Sequence, residues 1–290
     1  MAIYLKKDLE VKKSLNGLIH FINELDKSKP SVKIGILNIM PTLEDTERQL
    51  MIALDNPIVQ IELDFIYLNT KKVDDEKLAY YQKYYLSFQD IKGTKYDGMI
   101  ITGAPLEHIP FSGIDYINEL WEFFKYTKNN VRSTIYLCWA SQAALQYFYG
   151  VNRYNLPEKV SGLYEHYIVS PSNLVTGFDD TFYIPQSRYC SLIEEDIIKR
   201  KELKLVSKSN ESGVYIVESL DGSKIFLTGH AEYDLWTLDK EYRRDINRGL
   251  DILPPKNYYK NDDPLLTPVY RWHAHSNLLY HNWVYYYVYK

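Results

Sequence analysis

Cysteine is scarce in this sequence of 290 residues, which contains only Cys138 and Cys190. Two cysteines so far apart, without the spacing of metal ligands, argue against a disulfide scaffold and are typical of a reducing compartment. The N-terminus lacks the apolar core of a signal peptide, and no apolar run approaches the roughly 20 residues that a membrane span needs. We therefore expect a cytoplasmic protein without a membrane-spanning segment.

The chain also lacks an excess of positive charge. Lys and Arg total 34 against 38 for Asp and Glu, which gives a formal net charge of −4. This balance predicts no binding to nucleic acid or to an anionic membrane, so a phosphate-bearing ligand must be met by a local cluster of Lys and Arg. No glycine-rich phosphate loop follows any predicted strand, which argues against nucleotide-dependent kinase or dehydrogenase chemistry.

What the sequence does contain is an alternation of strand and helix patterns, typical of an α/β protein. We predict strands over 31–39, 59–67, 96–105 and 133–137, helices over 42–50, 114–127 and 139–149, and short strands over 203–207, 213–219 and 224–228. This order predicts a doubly wound, mostly parallel sheet flanked by helices. No composition break divides the chain, so we predict a single domain over 1–290.

The two ends of the chain are predicted to pack on this domain as accessory segments. Residues 1–30 form a predicted N-terminal helical extension, because apolar residues over 7–29 recur at helical spacing. Residues 261–290 form an aromatic C-terminal tail without a clear period. The charged and aromatic stretch over 71–89 is predicted to be helix with loop.

One stretch, 133–150, changes from a strand pattern to a helix pattern at Cys138. A side chain on such a turn lies at the carboxyl end of a parallel sheet, where open α/β sheets bind ligands. The helix that follows directs amide N–H groups at this position and favours a thiolate. The turn therefore resembles a nucleophile elbow. The alternative is a structural cysteine, since free cysteines are often buried as small apolar groups.

A second candidate position follows the predicted strand over 224–228, where His230 and Glu232 lie two residues apart. A histidine can take the proton of a thiol while a carboxylate fixes its tautomer and stabilises its cation. We predict Cys138 as nucleophile, His230 as base and Glu232 as the group that orients it. The alternative is that His230 caps a strand and Glu232 is solvated.

A rival chemistry would be metal binding by His273, His275 and His281 near the C-terminus. A single His-x-His pair without an assured third ligand is a weak signal for a metal site. We predict no metal and no permanently bound cofactor.

Several short motifs, in order along the chain from about residue 31 to the end, resemble those of the homoserine O-acyltransferase family of methionine biosynthesis. They are Asn38-Ile-Met-Pro41 with Thr46-Glu47, Ile101-Thr-Gly-Ala-Pro105, Cys138-Trp139 with Gln142-Ala143, Gly177-Phe-Asp-Asp180, Ser187-Arg-Tyr189, Gly229-His230 with Glu232-Tyr-Asp234, Glu241-Tyr242 with Arg244-Asp245, Asn282-Trp283 and Tyr287-Val-Tyr289. The resemblance implies a class I glutamine amidotransferase-like (flavodoxin-like) fold.

The resemblance also implies a ping-pong acyl transfer with acetyl-CoA as co-substrate. Cys138 would attack the thioester and become acylated, and the hydroxyl of the acceptor would then take the acyl group with His230 as base. The backbone N–H of Trp139 is a plausible oxyanion donor, because the helix start presents it. The resemblance assigns Lys159, Ser187 and Arg244 to the amino acid substrate.

The choice of acyl group is expected to depend on Glu107, which matches the family position facing the far end of the acyl group. Succinyl carries a carboxylate there, and two like charges about 4 Å apart repel by roughly 4 kcal/mol at an effective dielectric constant near 20. We therefore predict acetyl transfer rather than succinyl transfer.

Three departures from the family pattern bear on the acceptor and the elbow: Ala140 replaces Gly, Gln186 replaces His and Ala231 replaces Pro. Ala140 is expected to tighten the elbow, and Gln186 is expected to border the amino acid pocket. L-homoserine is the predicted acceptor, with L-serine as the alternative. Glutamine hydrolysis and a non-enzymatic binding module are more distant alternatives. The sequence leaves the oligomeric state open, a homodimer included.

Overall fold

A computed structural model describes residues 2–55 and 59–290 of the chain. The strands are β1 (Ile3–Leu5), β2 (Phe21–Ile22), β3 (Ser31–Leu37), β4 (Gln60–Tyr67), β5 (Leu86–Ser87), β6 (Tyr96–Ile101), β7 (Val131–Leu137), β8 (Arg153–Ile168), β9 (Thr181–Leu192), β10 (Leu203–Ser209), β11 (Gly213–Ser219) and β12 (Lys224–Leu227). The α-helices are α1 (Leu43–Leu54), α2 (Asp75–Tyr84), α3 (Phe88–Ile91), α4 (Ile117–Asn130), α5 (Trp139–Tyr149), α6 (Glu194–Ile198), α7 (Thr237–Asn247) and α8 (His273–Trp283).

These strands form one 12-stranded sheet in the order β2-β1-β4-β3-β6-β7-β12-β11-β10-β8-β9, with β5 paired to β4. Pairing is parallel from β2 to β12 and antiparallel from β12 to β9. Apolar side chains alternate between the two faces of the central strands, since Ile100 and Ile135 pack with α1 and α8 whereas Met99 and Tyr136 pack with α4 and α5. The predicted α/β fold with a mostly parallel sheet is confirmed.

The predicted helix over 7–29 is wrong. This segment contains only a short 3-10 helix, Glu10–Leu15, between β1 and β2, and β1 extends the parallel sheet beside β4. Gly17 ends the helical turn with a φ of 87°, a conformation that a continuous helix does not contain. Leu18, which fits the helical spacing, is 69% exposed.

The long hairpin of β8 and β9 was not predicted. Both strands carry many polar residues, so neither shows the apolar run of a buried parallel strand. Gly162 in β8 has a φ of 137°, and a side chain there would lie 2.4 Å from the backbone nitrogen of Lys256. The hairpin forms one edge of the sheet. This edge lies on the side of the sheet where the predicted amino acid pocket, described below, is found.

The C-terminal tail is a helix that packs on the sheet. Helix α8 continues into a π-helix, Val284–Tyr289, where no period was predicted. The indole of Trp283 is fully buried, lies against Gly98 of β6 and donates a hydrogen bond of 3.1 Å to Ser133 of β7. Among the described residues, no helix has both the length and the apolar character to cross a membrane.

Candidate active site

Cys138 lies on a sharp turn between β7 and α5. Its φ of 47° and ψ of −113° are rare for a residue with a side chain. The conformation is held by a hydrogen bond of 2.6 Å from its N–H to the carbonyl of Leu227, and its own carbonyl accepts bonds from the N–H (3.0 Å) and hydroxyl (2.6 Å) of Ser141. A strained residue fixed in this way is typical of functional sites.

His230 and Glu232 reach Cys138 because of the sheet register. Strands β7 and β12 are parallel neighbours with Leu137 opposite Leu227, so Cys138 and the loop after β12 leave the sheet at the same edge. The Nδ1 atom of His230 lies 2.7 Å from Oε1 of Glu232, and the side chain of Cys138 is close enough to act electrostatically on the same imidazole. The structure thus brings the three predicted side chains together.

The electrostatics of this group favour a charged imidazole. Burial alone would lower the pKa of His230, but the neighbouring Cys138 and Glu232 raise it well above its ordinary value. Nδ1–H therefore donates to Glu232, and Nε2 remains for the thiol proton. This arrangement can pass a proton from sulfur to nitrogen and keep the resulting imidazolium stable.

Several residues that the sequence did not single out hold the loop of His230 in place. The ring of Tyr233 stacks on the imidazole at 4.1 Å between centroids. The backbone carbonyl of Tyr233 accepts a hydrogen bond of 2.9 Å from the indole N–H of Trp272. The hydroxyl of Ser276 donates a hydrogen bond of 2.5 Å to the carbonyl of Ala231. Trp272 and Ser276 flank the His-x-His motif, so the segment that contains this motif supports the loop of His230 through hydrogen bonds to its backbone.

All the predicted site residues except Trp139 line one cavity of about 610 Å³, among them Glu107, Lys159, Ser187 and Arg244. A larger, open depression of about 1430 Å³ at the N-terminal segment is lined by neither cysteine. The first N–H groups of α5, beginning with Trp139, have no partner within the helix. Gly103, which the sequence did not single out, lies beside them: a side chain there would come within 3.4 Å of the Trp139 nitrogen.

One side of this cavity is built of paired charges. The ammonium group of Lys159 lies 2.8 Å from Asp245, and Nε of Arg244 donates to the same carboxylate at 2.8 Å. The hydroxyl of Ser187 donates to Glu241 at 2.5 Å. Burial alone would raise the pKa of Asp245, but Lys159 and Arg244 hold it below its ordinary value. The anchoring roles of Asp245 and Glu241 were missed, although both lie in a quoted motif and share one face of α7.

Glu107 has no ion pair or hydrogen bond from another side chain to its carboxylate in the part of the chain that the structure describes. Burial raises the pKa of this carboxyl above its ordinary value, opposed by smaller contributions that include nearby His108, Lys159 and Arg153. Glu107 therefore lines the cavity with no partner for its carboxylate from another side chain.

Comparisons with known proteins agree with this geometry. The sequence profile described as homoserine O-succinyltransferase matches residues 3–290. The chain is 42% identical to a homoserine O-acetyltransferase of Lachnoclostridium phytofermentans over all of this chain and 98% of that protein. It is 46% identical to one of Desulfitobacterium hafniense, over 89% of this chain and 85% of that protein.

The chain belongs to the homoserine O-succinyltransferase family. Solved structures similar to it include a glutamine amidotransferase from Thermotoga maritima, with a TM-score of 0.55 and 14% identity over 87% of this chain and 96% of that one. Another is a glutamine amidotransferase from Methylobacillus flagellatus, with a TM-score of 0.51 and 11% identity over 88% and 94% of the two chains. At such identities the likeness extends to the fold alone.

Two of the three departures from the family pattern, Gln186 and Ala140, have different structural consequences. The expectation that Gln186 borders the amino acid pocket is wrong: the residue is fully buried and faces the other side of β9 from Ser187, which lines the cavity. It accepts a hydrogen bond from Arg188 and packs against Gly229. Ala140 needs no left-handed conformation, since φ is positive at Cys138 and not at Ala140.

The three histidines of the alternative metal site have separate surroundings. His275 lies 3.2 Å from Asp179, His281 contacts the carbonyl of Asp55 and His273 contacts Asn277. No group of three or more metal-ligating side chains occurs within residues 2–55 and 59–290. The geometry of these residues does not support the alternative.

Proposed function

We propose that the protein transfers an acetyl group from acetyl-CoA to the hydroxyl of L-homoserine, as a step of methionine biosynthesis. The observation that carries this proposal is that Cys138, His230 and Glu232 line one cavity, with a hydrogen bond of 2.7 Å between His230 and Glu232 and with ion pairs in the cavity wall. Family membership and relatives named homoserine O-acetyltransferase support it. Residues 1–290 then form a single acyltransferase domain.

In the first half-reaction, His230 takes the thiol proton of Cys138 and the sulfur attacks the thioester carbon. The tetrahedral oxyanion is stabilised by the N–H of Trp139 at the start of α5, since helix N-termini favour negative charge. The carbon–sulfur bond to coenzyme A then breaks, and the imidazolium returns the proton to the departing thiolate. An acetyl thioester on Cys138 and free coenzyme A remain.

In the second half-reaction, the hydroxyl of homoserine attacks the acetyl thioester while His230 accepts its proton. Glu232 keeps Nδ1 protonated throughout, so that Nε2 serves as the base. The sulfur of Cys138 leaves as the acyl group moves to oxygen, and the proton returns to it. The carboxylate of the amino acid is suited to the planar fork of Arg244, and Lys159 and Ser187 complete the pocket.

Acetyl is favoured over succinyl by the unpaired carboxylate of Glu107, because a second carboxylate brought near it would be repelled. The acetyltransferase names of the relatives agree with this choice, whereas the family profile carries the succinyl name. Both cysteines are free thiols, which suits work in the reducing cytoplasm.

Intact-mass spectrometry tests the proposal directly. After mixing with acetyl-CoA and no acceptor, the protein should gain the mass of one acetyl group, and homoserine should remove it. The Cys138→Ala variant should gain nothing. A protein that stays unmodified, or an adduct that serine removes as readily as homoserine, would contradict the proposed mechanism or the proposed acceptor, respectively.

A further inference from the structure

A second cavity, of about 510 Å³, adjoins the catalytic cavity and shares Pro41, Ala104 and Pro105 with it. Three lysines line it: Lys71, Lys72 and Lys77. We call it the lysine cavity. We propose that the lysine cavity binds the phosphate-bearing nucleotide part of the acyl-coenzyme A donor. This inference rests on the proposed function, because it assigns the second half of the donor whose thioester meets Cys138.

In the strand order of the sheet, the lysine cavity lies on the side of Cys138 opposite the proposed amino acid pocket. Strands β4, β3 and β6 lie on one side of β7, whereas β12 and the β8–β9 hairpin lie on the other. The proposed amino acid pocket occupies the β12 side, through Lys159 of β8, Ser187 of β9 and Arg244 of α7. A donor that approaches Cys138 from the side opposite this pocket extends over the ends of β3 and β6, where the lysine cavity lies.

The lysines of this cavity are not neutralised by ion pairs within the described residues. Lys77 donates to the carbonyl of Pro41 at 3.0 Å. Lys71 donates to the carbonyl of Ile39 at 2.8 Å and to the hydroxyl of Tyr81 at 3.3 Å, and burial lowers its pKa to about 8. Lys72 is exposed, and no hydrogen bond or ion pair involves its ammonium group in residues 2–55 and 59–290. In a chain with a net charge of −4, three such lysines at one cavity make a local site for anions.

The nearby carboxylates are occupied by backbone groups rather than by these lysines. Asp74 caps α2 by accepting a bond of 2.8 Å from the backbone N–H of Lys77. Asp115 accepts bonds from the backbone N–H of Lys72 at 3.2 Å and of Tyr116 at 3.0 Å. The ammonium groups of Lys72 and Lys77 therefore remain available for the phosphates of coenzyme A, to which lysine binds as a mobile point charge, whereas that of Lys71 is held by Ile39 and Tyr81.

Tyr116 gives an independent indication of a ligand. It forms part of the cavity wall and is only 4% exposed, yet its hydroxyl has no hydrogen-bond partner among the described residues. A buried hydroxyl without a partner costs free energy, so such groups call for an explanation. The hydroxyl exposes almost no surface to the cavity, so we infer that the ring turns to offer it to a polar ligand seated there.

The decisive experiment compares Lys72→Glu with Lys201→Glu, which makes the same charge change at an exposed site remote from the cavity. Calorimetric titration with free coenzyme A should show about a tenfold weaker affinity for Lys72→Glu and no change for Lys201→Glu. Titration with pantetheine, which lacks the nucleotide phosphates, should not distinguish the variants from the wild type. Equal affinity of the wild type and Lys72→Glu for coenzyme A would overturn the inference.

Kinetics separate this inference from the proposed function. For Lys72→Glu, kcat/KM should fall about tenfold with acetyl-CoA and stay unchanged with S-acetyl-N-acetylcysteamine, a thioester without phosphates. Equal losses with both donors would contradict a phosphate site. If neither donor acetylates homoserine even in the wild type, the proposed function fails, while the titration with coenzyme A still decides the inference.

Tyr116→Phe provides a second variant with two opposed readouts. Removing an unpartnered hydroxyl should leave the melting temperature of the free protein unchanged or raised, because no native hydrogen bond is lost. It should weaken the binding of coenzyme A about threefold. A lowered melting temperature with unchanged binding would show that the tyrosine has only a structural role and would remove this support.

Discussion

The two sides of the catalytic cavity differ in how their charges are arranged. We call the side formed by Lys159, Ser187, Glu241, Arg244 and Asp245 the acceptor wall. We call the side formed by residues 40–42 and 103–105, together with residues 71–77 of the adjoining lysine cavity, the donor wall. On the acceptor wall, the carboxylate of Asp245 pairs with Lys159 and Arg244, and the carboxylate of Glu241 accepts a hydrogen bond from the hydroxyl of Ser187. On the donor wall, the lysines contact neutral carbonyl groups or nothing in the described part of the chain.

This difference fits two kinds of binding. An amino acid must be held at both its charged groups so that its hydroxyl points at the acyl group, and side chains already fixed by partners lose little entropy when they bind it. A long donor needs only its thioester to be placed within reach of Cys138. Its phosphates can be held by mobile lysines, whose charges attract it from solution.

Glu107 lies where the two walls meet, because its loop follows β6 and its carbonyl oxygen lies 3.5 Å from the thiol of Cys190 in β9. Replacing Glu107 by Gln removes the negative charge with little change in size. We expect the preference for acetyl-CoA over succinyl-CoA, measured as the ratio of kcat/KM values, to fall by several hundredfold.

Most of that change should come from improved use of succinyl-CoA, since the acetyl group carries no charge for Glu107 to repel. A Glu107→Asp variant keeps the charge and is the control. An unchanged ratio for Glu107→Gln would show that other residues select the acyl group. The contrast between paired and unpaired charges in the cavity would then not include Glu107.

Asp245→Asn tests whether the paired charges of the acceptor wall matter to the acceptor alone. The side chain of Lys159 is only 8% exposed, so losing the carboxylate leaves a nearly buried ammonium group with only the more distant Glu241, at 4.0 Å, and frees Arg244 to move. We expect kcat/KM for homoserine to fall about a hundredfold. The measurement is steady-state kinetics with varied homoserine at saturating acetyl-CoA.

The acylation half-reaction supplies the control for Asp245→Asn. Formation of the acetyl adduct on Cys138 in the absence of acceptor should proceed at the wild-type rate, because the donor approaches over the other wall. A variant that is equally slow in both half-reactions would mean that Asp245 supports the whole cavity and that the two walls are not independent.

The parallel half of the sheet could be predicted from the sequence because its signals are local. Strand β7, the turn at Cys138 and α5 follow one another directly, and the loop of His230 follows β12 in the same way. The β8–β9 hairpin depends instead on pairing between polar strands, which no local apolar run reveals. The burial of Gln186 behind Ser187 depends on that pairing, so its orientation could not be derived.

The same reasoning explains which site residues were missed. Cys138 and Glu232 are recognisable because their chemistry is unusual at the end of a strand. Asp245 gains its role only when Lys159, 86 residues away along the chain, is brought within 2.8 Å of it by the fold. The unpartnered hydroxyl of Tyr116 is likewise a property of packing and not of sequence.

Glu47 supports the donor wall from the protein interior, and its contribution is expected in the stability of the fold and not in the reaction rate. It is fully buried on α1 and accepts hydrogen bonds from Tyr80 at 3.0 Å and Tyr85 at 2.6 Å, and Tyr85 in turn accepts one from Asn38, close to Met40. No cation pairs with this carboxyl among the described residues, and burial raises its pKa to about 7 from a usual 4.5.

Because the folded state holds this proton between pH 4.5 and 7 and the unfolded state releases it, the free energy of unfolding should fall as pH rises through this window. The loss should reach about 2 kcal/mol between pH 5 and pH 7.5. Glu47→Gln, followed by urea unfolding at both pH values, should lack this contribution, whereas the exposed Glu76→Gln should retain it. If the free energy of unfolding varied with pH in the same way for Glu47→Gln and the wild type, Glu47 would be ionised in the folded protein. A charged group would then support the donor wall.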